Sequence, residues 1–148
     1  MTRKQYKLYI KLVRKIANQI RKKCERFAFS YQASDRDFYK AKDLACMCAV
    51  ASFTLSTALK KEGIKNKVMK GLYESCRSHC WVELENGIIV DITATQFRIP
   101  KKVLIISNES IYFEKYNKGR QVFYRDLKGW DTQKPESTLT KIILDIPI

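Results

Sequence analysis

The chain has 148 residues, of which 45% are hydrophobic and 30% are charged. This length and composition suit one globular domain, and they exclude a disordered chain or two full-sized domains. The formal net charge of +14 favours anionic partners, namely nucleic acid, an acidic membrane surface or an acidic protein, without choosing among them.

The first predicted element is a basic amphipathic helix over residues 3–27. Its apolar residues recur at helical spacing: Tyr6, Ile10, Val13, Ile16, Ala17, Ile20, Cys24 and Phe27. Most of its lysines and arginines, Arg21 included, fall off that stripe. The pattern fits a helix packed on the domain with a solvated cationic face, or a helix that binds a membrane surface or nucleic acid. We expect the packed helix, because the stripe is broad enough to need a core.

A second helix is predicted over residues 44–63, after a polar segment with a turn or cap at its SDRD sequence. Small and apolar residues predominate, which indicates a buried helix through the middle of the domain that stops at Gly63. Cys46 and Cys48 lie near its start, where backbone N–H groups and the helix dipole favour a thiolate. Taken alone, such thiols more often fill a core than react.

Strand periodicity follows Gly63. Residues 65–74 predict one strand, and residues 79–93 predict a hairpin that turns at its ENG sequence. Further strands are predicted in the runs KVLIIS, IYFEKY, QVFYRDL and TKIILDI. This order predicts a single α+β domain over residues 1–148, with N-terminal helices packed on an antiparallel sheet and C-terminal strands within 103–148.

His79 is the only histidine, and the predicted hairpin returns Asp91 to its side. Neighbouring strands lie about 4.8 Å apart, so the carboxylate can reach the imidazole. A carboxylate there fixes the tautomer and stabilises the imidazolium, which leaves the other ring nitrogen to face a thiol. The predicted order along the chain is therefore cysteine, base and orienting acid.

Residues 44–97 resemble the transglutaminase-like superfamily of cysteine enzymes, which share a papain-like core. The matching motifs are Cys48 at a helix start, Gly63-Ile64 at the helix end, the strand around KVMKG, His79-Cys80-Trp81-Val82-Glu83 and Asp91-Ile92-Thr93. The resemblance implies a Cys48 nucleophile, a His79 general base and acid, and an orienting Asp91. The family's usual spacing before the glycine favours Cys48 over Cys46 as the nucleophile.

The resemblance implies acyl transfer on an amide bond, by a peptidase, an amidase or deamidase, or a transglutaminase-like enzyme, with a protein or peptide as substrate. The Cys48 backbone N–H would be one oxyanion donor, and Gln32, Trp81 and Gln96 are candidates for the oxyanion hole or for substrate binding. The alternative is a non-catalytic basic module that binds nucleic acid or an acidic protein, although no nucleic-acid motif is recognisable.

The five cysteines bear on compartment and metal binding. Their odd number, and an N-terminus without an apolar segment, predict free thiols in a cytoplasmic protein. Neither the pair at 46 and 48 nor the pair at 76 and 80 has the C-x2-C spacing typical of structural zinc, so we predict no metal and no cofactor. Cys76 and Cys80 flank His79, and we expect them to pack in the strand or loop instead of forming a rival thiol or redox switch.

Overall fold

The computed structural model describes residues 1–35, 44, 47–74, 77–123 and 136–148, without the side chains of 31–35 and 136–138. The helices in this part of the chain are α1 (Arg3–Asp35), α2 (Cys48–Lys61) and α3 (Glu136–Leu144). The strands are β1 (Asn66–Tyr73), β2 (Arg77–Leu84), β3 (Ile89–Asp91), β4 (Leu104–Ile106) and β5 (Tyr116–Gln121). They form one antiparallel sheet in the order β4-β3-β2-β1-β5, which confirms the α+β prediction.

Helix α1 is longer than predicted, because it continues past residue 27 to Asp35. Most of the predicted stripe is buried, from Val13 to Phe27, whereas Tyr6 is 40% exposed. Arg21, which the pattern assigned to the solvated face, is only 1% exposed. The helix therefore packs on the domain as expected, but Arg21 is buried instead of lying on the solvated cationic face.

Helix α2 is the central helix of the fold, because it packs against α1, α3, β1 and β2. Its residues from Ala49 to Ser56 are buried, as predicted for this segment. It begins at Cys48 and not at Leu44, whose positive φ of 56° is incompatible with a right-handed helix. It stops where predicted, since Gly63 adopts a φ of 75° and donates its N–H to Lys60 O.

The sheet is covered on both faces. One face contacts the helices through a core that includes Val82, Leu84 and Val90. The other face carries a second core around Trp81 and Met69, over which the aromatic residues of the 107–115 connection pack. That connection crosses from edge strand β4 to the opposite edge, where β5 pairs with β1.

Two predicted strands near the C-terminal half are wrong in position. The run at 111–116 forms a turn and a 3-10 helix over Phe113–Lys115, so that β5 begins only at Tyr116. The run at 121–127 contributes only Gln121, the last residue of β5, and its residues from 124 onward lie outside the described part of the chain. The residues of β5 are mostly polar because this edge strand is largely exposed, so its sequence lacks a strand's apolar alternation.

The prediction of a strand at 140–146 is also wrong, because this run belongs to helix α3 and the turn after it. Its β-branched residues favour a strand locally, but Leu139 and Ile143 are one helical turn apart and both are buried in the core with α2. Thr140 lies 3.3 Å from Thr54 of α2 through their hydroxyl oxygens. Packing against α2 thus overrides the local preference.

No helix in the described ranges combines the length and the apolar character needed to cross a lipid bilayer.

Candidate active site

The β2–β3 hairpin places a histidine beside an acid. Its turn contains Gly87, with a φ of 81°, and its strands pair Val82 with Val90. Three residues before Val82 and one residue after Val90, His79 and Asp91 meet through Nε2 and Oδ2, 2.7 Å apart. Both side chains are buried, with exposures of 0% and 1%. An ionised carboxylate only accepts hydrogen bonds, so Nε2 donates and Nδ1 remains as the second ring nitrogen.

Asp91 is held by four donors. Besides His79, the backbone N–H and the hydroxyl of Thr93 donate to Oδ1, at 2.8 and 3.1 Å, and the Tyr116 hydroxyl donates to Oδ2 at 2.7 Å. Burial by itself raises the pKa of Asp91, but the charge of His79 and these hydrogen bonds outweigh it, so the pKa lies below its usual range. Asp91 is therefore a carboxylate with a fixed orientation.

Cys48 is the first residue of α2 and is half-buried. Its sulfur lies within hydrogen-bonding reach of Cys80 and of His79. The Cys80 thiol lowers the pKa of Cys48, burial opposes that shift, and His79 lowers the pKa further, so that the net pKa lies well below that of an ordinary thiol. A thiolate is the reactive form of cysteine, so the arrangement favours a nucleophile.

His79 is the cation that faces this thiolate. Burial lowers the pKa of His79, but the charge and hydrogen bond of Asp91, together with Cys48, raise it to about 10. The lowered pKa of Cys48 and the raised pKa of His79 both favour a thiolate–imidazolium pair, and the lowered pKa of Asp91 favours its carboxylate. The imidazolium has a proton that it can deliver to a leaving group.

Gln96 lies on the Nδ1 side of the histidine. Its Nε2 is 3.5 Å from His79 Nδ1 and donates to Thr93 O at 3.0 Å. It belongs to a short 3-10 helix, Ala94–Phe97, that follows Asp91 closely in the chain. Gln96 therefore lies beside the imidazole, with its amide nitrogen held by the Thr93 carbonyl.

Aromatic side chains form the wall around His79. The Phe97 ring packs edge-on against the imidazole with ring centres 4.7 Å apart, and Trp81 lies 6.2 Å away. Trp81 is 2% exposed, and within the described residues its buried indole nitrogen has no hydrogen-bond partner. The indole fits only because position 71 is glycine, where a Cβ would come within 2.6 Å of it. Trp81 therefore shields the site as part of its wall.

Arg21 of α1 holds the segment that follows Asp91. Its guanidinium donates to Ile92 O at 2.7 Å and to the Thr95 hydroxyl at 2.9 Å, and it pairs with Glu25 at 2.8 Å. These bonds fix the segment that follows Asp91 to α1. The sequence pattern did not predict this role, because an arginine outside the apolar stripe of a helix is expected to be exposed to solvent.

The structure brings Cys48, His79 and Asp91 together, with Gln96 beside them and Trp81 in the wall. Their catalytic roles stay predictions. Gln32 lies in α1 with its side chain outside the described set, and Cys46 and Cys76 lie outside the described residues altogether. Sequence reasoning missed Tyr116, whose position beside Asp91 depends on the pairing of β5 with β1.

In the part of the chain that the structure describes, no three histidine, cysteine or acidic side chains are arranged to hold a metal ion. A scan against models of protein families and searches of curated proteins and of solved structures found no match to this chain.

Tyr116→Phe is expected to weaken the acid while leaving the aromatic packing in place. Because the hydroxyl helps to lower the pKa of Asp91, its removal should raise that pKa. Asp91 stabilises the fold above its unfolded pKa of about 3.9, and this contribution is lost as pH falls through its folded value. Acid unfolding, followed by circular dichroism, should therefore begin at a higher pH in the variant, with a loss of about 1.5–3 kcal/mol at pH 7.

Tyr112→Phe is the matched control, since it removes a hydroxyl from the same aromatic cluster. An equal shift of the acid transition in both variants would contradict a specific role of the Tyr116 hydroxyl.

Proposed function

We propose that this protein is a cysteine-dependent acyl-transfer enzyme that acts on an amide bond. In this proposal Cys48 is the nucleophile, His79 the general base and acid, and Asp91 the orienting residue. One observation carries it: Cys48, His79 and Asp91 form one series, in which Cys48 lies within hydrogen-bonding reach of His79 and His79 bonds the buried Asp91. Cys48 is the member of this series that is not fully buried.

The proposal gives each group a role. The Cys48 thiolate attacks the carbonyl carbon, and the imidazolium of His79 gives its proton to the amine as the carbon–nitrogen bond breaks. The resulting thioester is then attacked by water or by an acceptor amine, which His79 deprotonates. The Cys48 backbone N–H has no intrahelical partner at the start of α2, so it can donate to the oxyanion, and the Gln96 amide is the second candidate.

Asp91 keeps Nε2 protonated, which holds Nδ1 toward the sulfur. Such fixed orientation matters because a misdirected imidazole cannot both accept and deliver the proton. The roles follow from donors and acceptors that are already in place before a substrate binds.

The proposal includes a transglutaminase-like, papain-like core. Its support is the order of elements at the site: a cysteine at the start of a central helix, a histidine on the following hairpin and an acid at the end of that hairpin. The described cysteines, Cys24, Cys48 and Cys80, are free thiols. Free thiols fit a reducing compartment, so the proposal places the enzyme in the cytoplasm.

A protein or peptide is the proposed substrate of this enzyme.

The first helix offers a second candidate function, which is binding of an acidic protein or a nucleic acid. Exposed cations follow one another along this helix: Lys4, Lys7, Lys11, Arg14, Lys15 and Lys22. Glu25 is the only acidic residue between positions 3 and 30, and it is paired with Arg21 and Lys102. A cationic helix of this kind would also steer an acidic substrate toward the domain.

An activated acyl ester tests the enzymatic proposal. We expect the ester to acylate Cys48, seen by mass spectrometry of the intact protein and of its peptides. Loss of the acyl group should quicken when a primary amine is added if transfer competes with hydrolysis. Cys24 serves as the internal control, because burial raises its pKa to about 12 and it should remain unmodified. Acylation of another cysteine in place of Cys48 would refute the assignment.

A further inference from the structure

Cys80 lies against the proposed nucleophile. Along β2, Cys80 alternates with His79 and Trp81 and shares a face with Val82 and Leu84. Those two residues pack in the core that contains α2, so Cys80 points toward the helix that Cys48 begins. This placement differs from the sequence-based expectation that Cys80 only fills space.

The two cysteines lie close together where the hairpin ladder ends, since α2 packs on β2. Strand β3 pairs with β2 at Val82 and Glu83, so the backbone N–H of Cys80 lies beyond that ladder. Both this N–H and the Cys80 thiol lie within hydrogen-bonding reach of the Cys48 sulfur. Cys80 is 3% exposed, whereas Cys48 is half-buried. Cys48 is therefore the more accessible residue of the pair.

The two thiols also differ in ionisation. The hydrogen bond to Cys48, followed by burial and the Cys48 charge, raises the pKa of Cys80 well above its ordinary value. The lowered pKa of Cys48 favours the thiolate, which can attack an oxidant, and the raised pKa of Cys80 favours the protonated thiol. Oxidation of Cys48 would remove the negative charge that opposes ionisation of Cys80.

We propose that Cys48 and Cys80 form a site of reversible oxidative modification that takes a hydroperoxide. The Cys48 thiolate attacks one peroxide oxygen, the oxygen–oxygen bond breaks, and the leaving oxygen departs as water after it gains a proton. The Cys48 sulfenic acid is then attacked by the sulfur of Cys80, which forms a disulfide and releases a second water. The two thiols lose two electrons and two protons, and hydrogen peroxide gains them.

The disulfide protects the nucleophile. A lone sulfenic acid can be oxidised further to sulfinic acid, which ordinary thiols do not reduce, whereas a disulfide returns to two thiols. The cross-link would also switch off acyl transfer, and this consequence rests on the proposed function. Formation of the cross-link does not depend on the proposed function.

The test treats the reduced full chain with hydrogen peroxide, blocks the remaining thiols and maps the peptides. Trypsin cuts after Arg77, which separates Cys76 from Cys80, and a Cys46→Ala background leaves Cys48 as the only cysteine of its peptide. We expect a Cys48–Cys80 cross-link that dithiothreitol reverses. In Cys80→Ser the cross-link should be absent, and Cys48 should proceed to sulfinic acid that dithiothreitol does not restore. Cys24→Ala is the matched control and should cross-link normally.

A cross-link from Cys48 to any other cysteine, or irreversible oxidation of Cys48 at the same rate with and without Cys80, would overturn the inference. Acylation of Cys48 without the cross-link would remove only this inference. The cross-link without acylation would remove the proposed enzymatic function and leave the oxidation site standing.

Discussion

Replacing Cys48 with alanine is expected to abolish acyl transfer and to remove labelling by a thiol-directed electrophile at neutral pH. The variant lacks the atom that forms the thioester, and the loss of a nucleophile costs on the order of 10⁴-fold or more in turnover. Labelling should disappear because the other described cysteines, Cys24 and Cys80, are buried. Iodoacetamide labelling followed by peptide mapping measures the effect directly.

Cys46→Ala is the matched control for this result. It removes the rival thiol two residues earlier and should leave labelling nearly intact. Equal labelling in the two variants would remove Cys48 as the nucleophile. Thermal unfolding of Cys48→Ala should be close to that of the unmodified chain, since Cys48 is only half-buried.

Replacing His79 with glutamine is expected to slow alkylation of Cys48 near neutral pH. The imidazolium helps to lower the pKa of Cys48, so its removal should raise that pKa. A thiol of ordinary pKa is about 3% ionised at pH 7, which limits the reduction to roughly 30-fold. The Cys80 hydrogen bond remains in the variant, so we expect a smaller loss than this limit.

The pH dependence separates a lost charge from a damaged fold. In the unmodified chain the midpoint of the alkylation-rate profile should lie at a lower pH than in His79→Gln, because His79 lowers the pKa of Cys48. The profile of His79→Gln should therefore be displaced toward higher pH. Superimposable pH profiles in the two proteins would mean that Cys48 and His79 are not coupled.

Glutamine is preferred to alanine here, because an amide keeps a donor for Asp91. His79→Ala would leave the buried Asp91 without its cation, and breaking a buried charge pair costs about 3–5 kcal/mol.

The stability of the unmodified chain should also depend on alkaline pH through His79. His79, with its raised pKa, stabilises the fold fully below about pH 6.5 and loses that contribution as pH rises through about 10. His79→Gln should lack this alkaline decline in thermal stability.

Local patterns determined a large share of the fold. The apolar stripe of α1 fixes which side of the helix is buried, and small residues with a glycine stop fix α2. A turn sequence between alternating residues fixes the hairpin that brings His79 to Asp91, because a two-stranded register follows from the turn itself. These features depend on residues near one another in the chain, so the sequence displays them.

Contacts between distant segments were decided by the tertiary structure alone. Tyr116 reaches Asp91 because β5 lies at the far edge of the sheet. Arg21 is buried because α1 packs over the segment after Asp91. Helix α3 is helical because its apolar residues pack against α2. The contact between Cys48 and Cys80 likewise depends on how α2 docks on β2. No periodicity encodes such contacts, since each is set by the packing of whole elements and by the hydrogen bonds that burial requires.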